Sequence, residues 1–314
     1  KNIKPIIGCE FYVAPKSRFE KDPSYSYDHL TVIAKNNKGY SNLIKLVSKG
    51  NLEGFYYRPR IDKEILKEYS EGLIVLSGCP SAELFKKIIL GDEDLIDETI
   101  NWYKNVFGDD YYLEIMRHEN VEGQEKVNKW IIDNHKRLDI KIVATNDNHY
   151  ETKNDYEKEI LLKNVRSGSS NPRSDILEDN SYYIASPEEM REKFKDVPES
   201  CDNTLEIAEK CNVTIDFSKT MIPEFGTPEN KNSFEYLKEL CEQGLEKKFP
   251  SANKEIIERL DYELSVIKET DFADYFLVVW DIFKFVNSKK ILTTLRGSAT
   301  ASLVLYCLDI TKID

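Results

Sequence analysis

The feature that most constrains the fold of this chain is a change in hydrophobic rhythm about halfway along it. Over residues 1–150, short apolar runs alternate with stretches at helical spacing. Strands are predicted over 4–13, 29–34, 72–79, 111–116 and 141–145. Helices are predicted around 43–47, from a capping Asp62 through 66, and over 82–90, 95–107 and 124–138. Strands that alternate with helices pair in parallel, so this half predicts an α/β sheet or barrel. From about 155 the pattern turns mainly helical. Ser167-Gly-Ser-Ser-Asn-Pro172 reads as a loop built of turn residues. Ser186-Pro-Glu-Glu189 has the form of a capping box with proline at the first helical position. Further helices are predicted over 203–211, 234–248, 254–269 and 275–286, and a last one from near Ser298. Pro223 and Gly226-Thr-Pro228 mark a linker. The boundary is therefore placed near 212–228, dividing the chain into domains 1–215 and 216–314.

Composition bounds the function classes. A chain of 314 residues with 40% hydrophobic and 32% charged residues has enough apolar mass for two cores and is not globally disordered. Its net charge of -12 argues against a large nucleic-acid face, while leaving open a local one or an acidic metal site. The six cysteines (Cys9, Cys79, Cys201, Cys211, Cys241 and Cys307) form no CxxC pair, which reads as reduced, cytoplasmic thiols. No apolar run is long enough to cross a membrane, and no signal peptide opens the chain. The chain starts at Lys1 in front of an apolar run and stops at Asp314 directly after a helical pattern, so it is expected to be an internal piece of a longer protein.

Glu10, Cys79, His118, Asp147 and His149 fall at or near the ends of predicted strands. In a parallel α/β barrel those ends converge on one face, where active sites form. Carboxylate, imidazole and thiolate together suit zinc or another transition metal, and a carboxylate can bridge two ions. Asp147-x-His149 puts two side chains on one face of an extended segment. Each residue alone has a plainer reading: Cys79 as a small buried hydrophobe, His118 as a hydrogen-bonded or surface histidine, Glu10 as a paired or solvated carboxylate. His29 begins a strand instead of ending one and reads as structural or as a support to the ligands; His135 reads as a solvated helix histidine.

Several segments in order carry a resemblance. They are Lys4-Pro-Ile-Ile-Gly-Cys-Glu-Phe-Tyr-Val-Ala-Pro15, His29-Leu-Thr-Val-Ile-Ala-Lys-Asn-Asn37, Gly54-Phe-Tyr-Tyr-Arg-Pro-Arg-Ile-Asp62, Val143-Ala-Thr-Asn-Asp147, Thr204-Leu-Glu-Ile-Ala-Glu-Lys-Cys-Asn-Val213 and Phe272-Ala-Asp-Tyr-Phe-Leu-Val-Val-Trp280. Together they resemble the C-family of bacterial replicative DNA polymerases, the polymerase III alpha subunits, over nearly the whole chain. Segment 164–180 is a poor match. The resemblance implies a PHP domain, a distorted (β/α)7 barrel lacking its first strands here, followed by the mainly helical start of an α+β polymerase palm. It implies that Glu10, Cys79, His118, Asp147 and His149 are ligands of a cluster of two or three zinc or manganese ions, the remaining ligands lying upstream of Lys1. It further implies phosphoester hydrolysis at that cluster, either 3′→5′ exonuclease or pyrophosphatase activity.

In the second domain, Arg296-Gly297-Ser298 resembles the family turn that contacts the triphosphate of the incoming nucleotide. Read from the residues alone, it is an ordinary helix start with a capping serine. Thr293-Thr-Leu295 stands where the family has Gly-Pro-Gly, and Ala301 where it has glycine, which removes backbone freedom beside a phosphate. The aspartates that hold the catalytic magnesium ions in the family lie beyond Asp314. The implied partners are primer-template DNA, dNTPs, a sliding clamp, a clamp loader and a proofreading exonuclease, with no membrane. Two other readings stand beside this one: a free-standing PHP phosphatase acting on a small phosphate ester such as histidinol phosphate, and a non-catalytic PHP scaffold that docks an exonuclease.

Overall fold

A computed structural model describes residues 3–22, 27–118, 120–167, 179–218 and 221–313. It divides into two compact units, Lys1–Ile215 and Asp216–Asp314, each with its own hydrophobic core.

The first unit runs β1 (Gly8–Val13), β2 (Asp28–Ala34), α1 (Asn37–Leu52), β3 (Arg60–Ile61), α2 (Lys63–Glu68), β4 (Leu73–Leu76), α3 (Glu83–Leu90), α4 (Glu93–Phe107), β5 (Tyr111–Ile115), α5 (Gln124–Leu138), β6 (Ile142–Ala144), α6 (Tyr156–Ser167), α7 (Pro187–Lys193) and α8 (Glu199–Lys210). The strands form one six-stranded sheet in the order β3-β1-β2-β4-β5-β6. Every residue of β4, β5 and β6 is buried, as expected for strands covered on both faces. Strand alternation then divides them between two layers. Leu73, Val75, Leu113, Ile115, Ile142 and Ala144 pack with α1 to α5 in the larger cluster. Ile74, Leu76, Tyr112 and Val143 pack with Ile207 and Cys211 around α8.

The sheet departs from the all-parallel pairing expected of alternating strands and helices. Among the described residues it is open, with β3 and β6 at its edges. It is also mixed: β1–β3, β4–β5 and β5–β6 are parallel, whereas β2 runs antiparallel to both β1 and β4. Among the described residues no helix separates β1 from β2, and the two pair antiparallel, whereas helical crossovers join β4, β5 and β6, which pair in parallel. The caps hold as predicted. Asp62 accepts the Ile65 N–H at 3.1 Å to start α2, and Ser186 and Glu189 close a capping box at α7. The loop predicted over 167–172 lies outside the described residues, apart from Ser167, which ends α6.

The second unit is helical: α9 (Ser233–Lys248), α10 (Lys254–Glu269), α11 (Ala273–Ser288) and α12 (Leu303–Cys307). Leu237, Cys241, Leu260, Leu264, Leu277 and Val304 form its center. The last helix does not begin at Ser298. Ser298–Ala301 makes one 3-10 turn, and α12 starts after Ser302, whose Oγ accepts the Leu305 N–H at 3.3 Å. All six cysteines are free. No helix among the described residues is long and apolar enough to cross a membrane.

Candidate metal centre

The strand directions explain which side chains meet. Because β2 is antiparallel to β1 and β4, its N-terminal end lies on the same sheet edge as the C-terminal ends of β1, β4, β5 and β6. His29 therefore joins the candidate ligands at that edge. Glu10 lies within β1 opposite Thr31, and His29 lies opposite Tyr12, so Glu10 and His29 are diagonal neighbours on one face. His29 Nδ1 is 3.0 Å from Glu10 Oε1 and 3.5 Å from Cys79 Sγ. These two contacts, Cys79 first, push the His29 imidazole up to about 10. Cys79 reaches this place through Gly78, which turns the chain at φ +97. A Cβ at Gly78 would sit 2.6 Å from Ala82 Cβ, so the turn excludes a side chain.

Asp147 and His149 form the second pair, with His149 Nε2 at 3.4 Å from Asp147 Oδ1. The expected strand alternation does not bring them together. The strand ends at Ala144, and Asp147 adopts φ +45, a left-handed turn that folds the two side chains toward each other. Burial acts to raise the Asp147 carboxyl, but the His149 hydrogen bond and the nearby His149, His118 and His29 outweigh it and hold it low.

His118 is 7% exposed, three residues beyond β5. Its ring stacks on Tyr182 at 3.9 Å between centroids, and Nδ1 lies 2.6 Å from Ser181 Oγ. Burial, and then the charge of Lys193, pull the imidazole down to about 4, so the ring is neutral near pH 7. Its Nε2 is buried and has no hydrogen-bond partner among the described residues.

Beneath these groups sits Glu114, the one charged residue in β5 and 5% exposed. It accepts the Gly78 N–H at 3.0 Å and the Thr145 hydroxyl at 2.7 Å, tying the ends of β4, β5 and β6 together. Burial, followed by the charges of Asp147 and Glu10, raises it to about 7. Sequence reasoning passed over Glu114, while His29, read there as structural or as a support to the ligands, lies in contact with Glu10 and Cys79. A carboxylate inside an otherwise apolar strand was the available signal, since such a group needs partners.

Among the described residues, no three His, Cys, Asp or Glu side chains are placed to hold one metal ion together. The five predicted ligands, together with His29, form two close groups, Glu10–His29–Cys79 and Asp147–His149, with His118 feeling the charges of the second. The donor set suits a transition metal, and an orphaned, neutral imidazole nitrogen suits a ligand that needs a bare lone pair. In the second unit, Arg296, Gly297 and Ser298 are exposed, and Gly297 has φ +78. Ser298 caps no α-helix.

Comparison with known proteins agrees with this architecture in order. Residues 1–118 match the family model described as PHP domain, and residues 235–314 match the one described as bacterial DNA polymerase III alpha NTPase domain. The chain is 38% identical to the DNA polymerase III subunit alpha of Chlamydia pneumoniae, over 100% of this chain and 30% of that protein. It is 42% identical to that of Borreliella burgdorferi, over 99% of this chain and 28% of the relative, and 38% identical to that of Treponema pallidum, over 100% and 27%. The chain thus spans about three tenths of the length of these relatives. With a PHP domain and the alpha-subunit domain in the same order and relatives matched from end to end, this chain belongs to the bacterial DNA polymerase III alpha-subunit family and corresponds to part of such a subunit.

Proposed function

We propose that the protein to which this chain belongs is a DNA-directed DNA polymerase of bacterial replication, acting in the cytoplasm on primer-template DNA and dNTPs with magnesium. The observation that carries this reading is the match of the whole chain, in order, to alpha subunits. A free-standing small-molecule phosphatase would leave the match of residues 235–314 without a purpose. The open sheet is read as part of a distorted barrel. The sliding clamp, clamp loader and proofreading exonuclease are its proposed partners.

Within the PHP domain, Glu10, Cys79, His118, Asp147 and His149 are the proposed ligands, with His29 beside them. Zinc or manganese held there would lower the pKa of a bound water and neutralise charge on a phosphodiester, supporting 3′→5′ exonuclease or pyrophosphatase chemistry. The chain's own contribution is positional. Glu114 holds three strand ends in register, His29 and His149 face the carboxylates of Glu10 and Asp147, and His118 offers a neutral ring. Arg296, Gly297 and Ser298 are proposed to face the triphosphate of the incoming nucleotide, with Arg296 supplying a charged fork.

Primer extension tests the polymerase reading. The full-length protein with magnesium and dNTPs is expected to extend a primed template, and this chain alone is expected not to. A full-length protein that leaves the primer unextended would overturn it.

A further inference from the structure

The segment from Asp179 to Tyr182 packs on His118 but supplies no ligand in the reading above. Asp179 is buried. Its Oδ1 accepts the Ser181 N–H at 2.7 Å and also the Ser181 hydroxyl, while Oδ2 accepts the Asn120 N–H at 3.2 Å. Ser181 Oγ in turn lies 2.6 Å from His118 Nδ1. The three groups form a chain, and the protons along it can be ordered.

Three donors converging on one carboxylate favour its ionised form. An ionised carboxylate has no proton to give, so the single hydroxyl proton of Ser181 lies toward Asp179. The serine oxygen then faces His118 with lone pairs only. The proton in that contact belongs to the ring, which makes Nδ1 the donor. A neutral ring with its proton on Nδ1 has a bare lone pair on Nε2. The opposite order would set two lone pairs against each other across 2.6 Å and bury an N–H where no acceptor lies among the described residues. Tyr182, stacked at an interplanar angle of 5°, fixes the plane of the ring.

We propose that Asp179 and Ser181 are positioning residues that lock His118 in its Nδ1–H tautomer and so present Nε2 to the metal centre. The relay resembles the carboxylate–histidine pairs that orient metal ligands in general, with a serine hydroxyl inserted between the carboxylate and the ring. It rests on the reading of His118 as a ligand, but the tautomer can be measured with no metal present.

The experiment is nitrogen-15 spectroscopy of the histidine side chains of this chain in chelator, with His118→Ala assigning one ring among four histidines. It is paired with titration of Mn²⁺ and Zn²⁺ against a chromophoric chelator. The wild-type His118 is expected as the Nδ1–H tautomer. Ser181→Ala is expected to move the ring toward the Nε2–H form and to weaken metal binding about 10- to 100-fold. Ser181→Thr, which keeps the hydroxyl, is expected to restore both. A wild-type ring found in the Nε2–H form overturns the proposal, as does a Ser181→Ala ring that does not change. If His118→Ala binds metal as tightly as the wild type, the ligand reading fails, and the tautomer result still decides the relay.

Discussion

Glu114→Gln tests whether a neutral carboxyl holds the floor of the site. Glu114 is buried, and its carboxyl is raised from 4.5 to about 7, chiefly by burial, with the charges of Asp147 and Glu10 adding to it. The folded chain therefore keeps this proton up to about pH 7, while the unfolded chain releases it near 4.5. Between those values the native state binds more protons, so stability falls as pH rises. The contribution is complete below 4.5 and is lost as pH passes through about 7. At ~1.4 kcal/mol per pH unit, the group makes the chain about 3 kcal/mol less stable at pH 8 than at pH 4.5. Glutamine mimics the protonated form: its carbonyl can accept the Gly78 N–H, and its amide can donate to the Thr145 hydroxyl oxygen, which is free to rotate. The assay is urea unfolding in EDTA from pH 5 to pH 8. It is followed by the fluorescence of Trp102 and Trp130 in a Trp280→Phe background, so that the first unit alone reports. The variant is expected to exceed the wild type by less than ~1 kcal/mol at pH 5 and by about 3 kcal/mol at pH 8. Parallel stability curves, or a variant weaker at every pH, would refute the neutral-carboxyl reasoning.

Asp62→Ala removes both a helix cap and the partner of a buried cation. Asp62 accepts the Ile65 N–H and the guanidinium of Arg18, each at 3.1 Å, and its side chain is 1% exposed. Glu53 retains Arg18 at 2.7 Å, so the loss is expected near the lower end of the range for a broken buried pair, about 3 kcal/mol by urea unfolding. His149→Ala is expected to lower the metal retained after Mn²⁺ or Zn²⁺ loading and dialysis, read by elemental analysis; unchanged stoichiometry would remove His149 from the ligand set.

The parts of the fold that were legible in the sequence are those whose cause is local. The helices and strands from β4 to β6 follow from apolar spacing, and Asp62 and Ser186 cap where a side-chain acceptor precedes a helical run. What was not legible depends on partners far along the chain. His29 starts its strand, and on a parallel sheet it would lie at the opposite edge from Glu10; one reversed strand brings the two within 3.0 Å. Asp147 meets His149 through a left-handed turn that no alternation rule supplies. The start of α12 shows the same dependence most clearly. Ser298 and Ser302 are both competent caps, and nothing in the local sequence ranks them. Glu263, some 40 residues upstream on α10, chooses between them. Its carboxylate accepts the Ser302 hydroxyl at 2.8 Å and the N–H groups of Leu303 and Val304 at 3.2 and 3.1 Å, satisfying the first amides of a helix that starts at Leu303. A helix boundary set by a carboxylate on another helix is a tertiary fact. For that reason Arg296 and Gly297 stand on an exposed approach to the helix and not on its first turn.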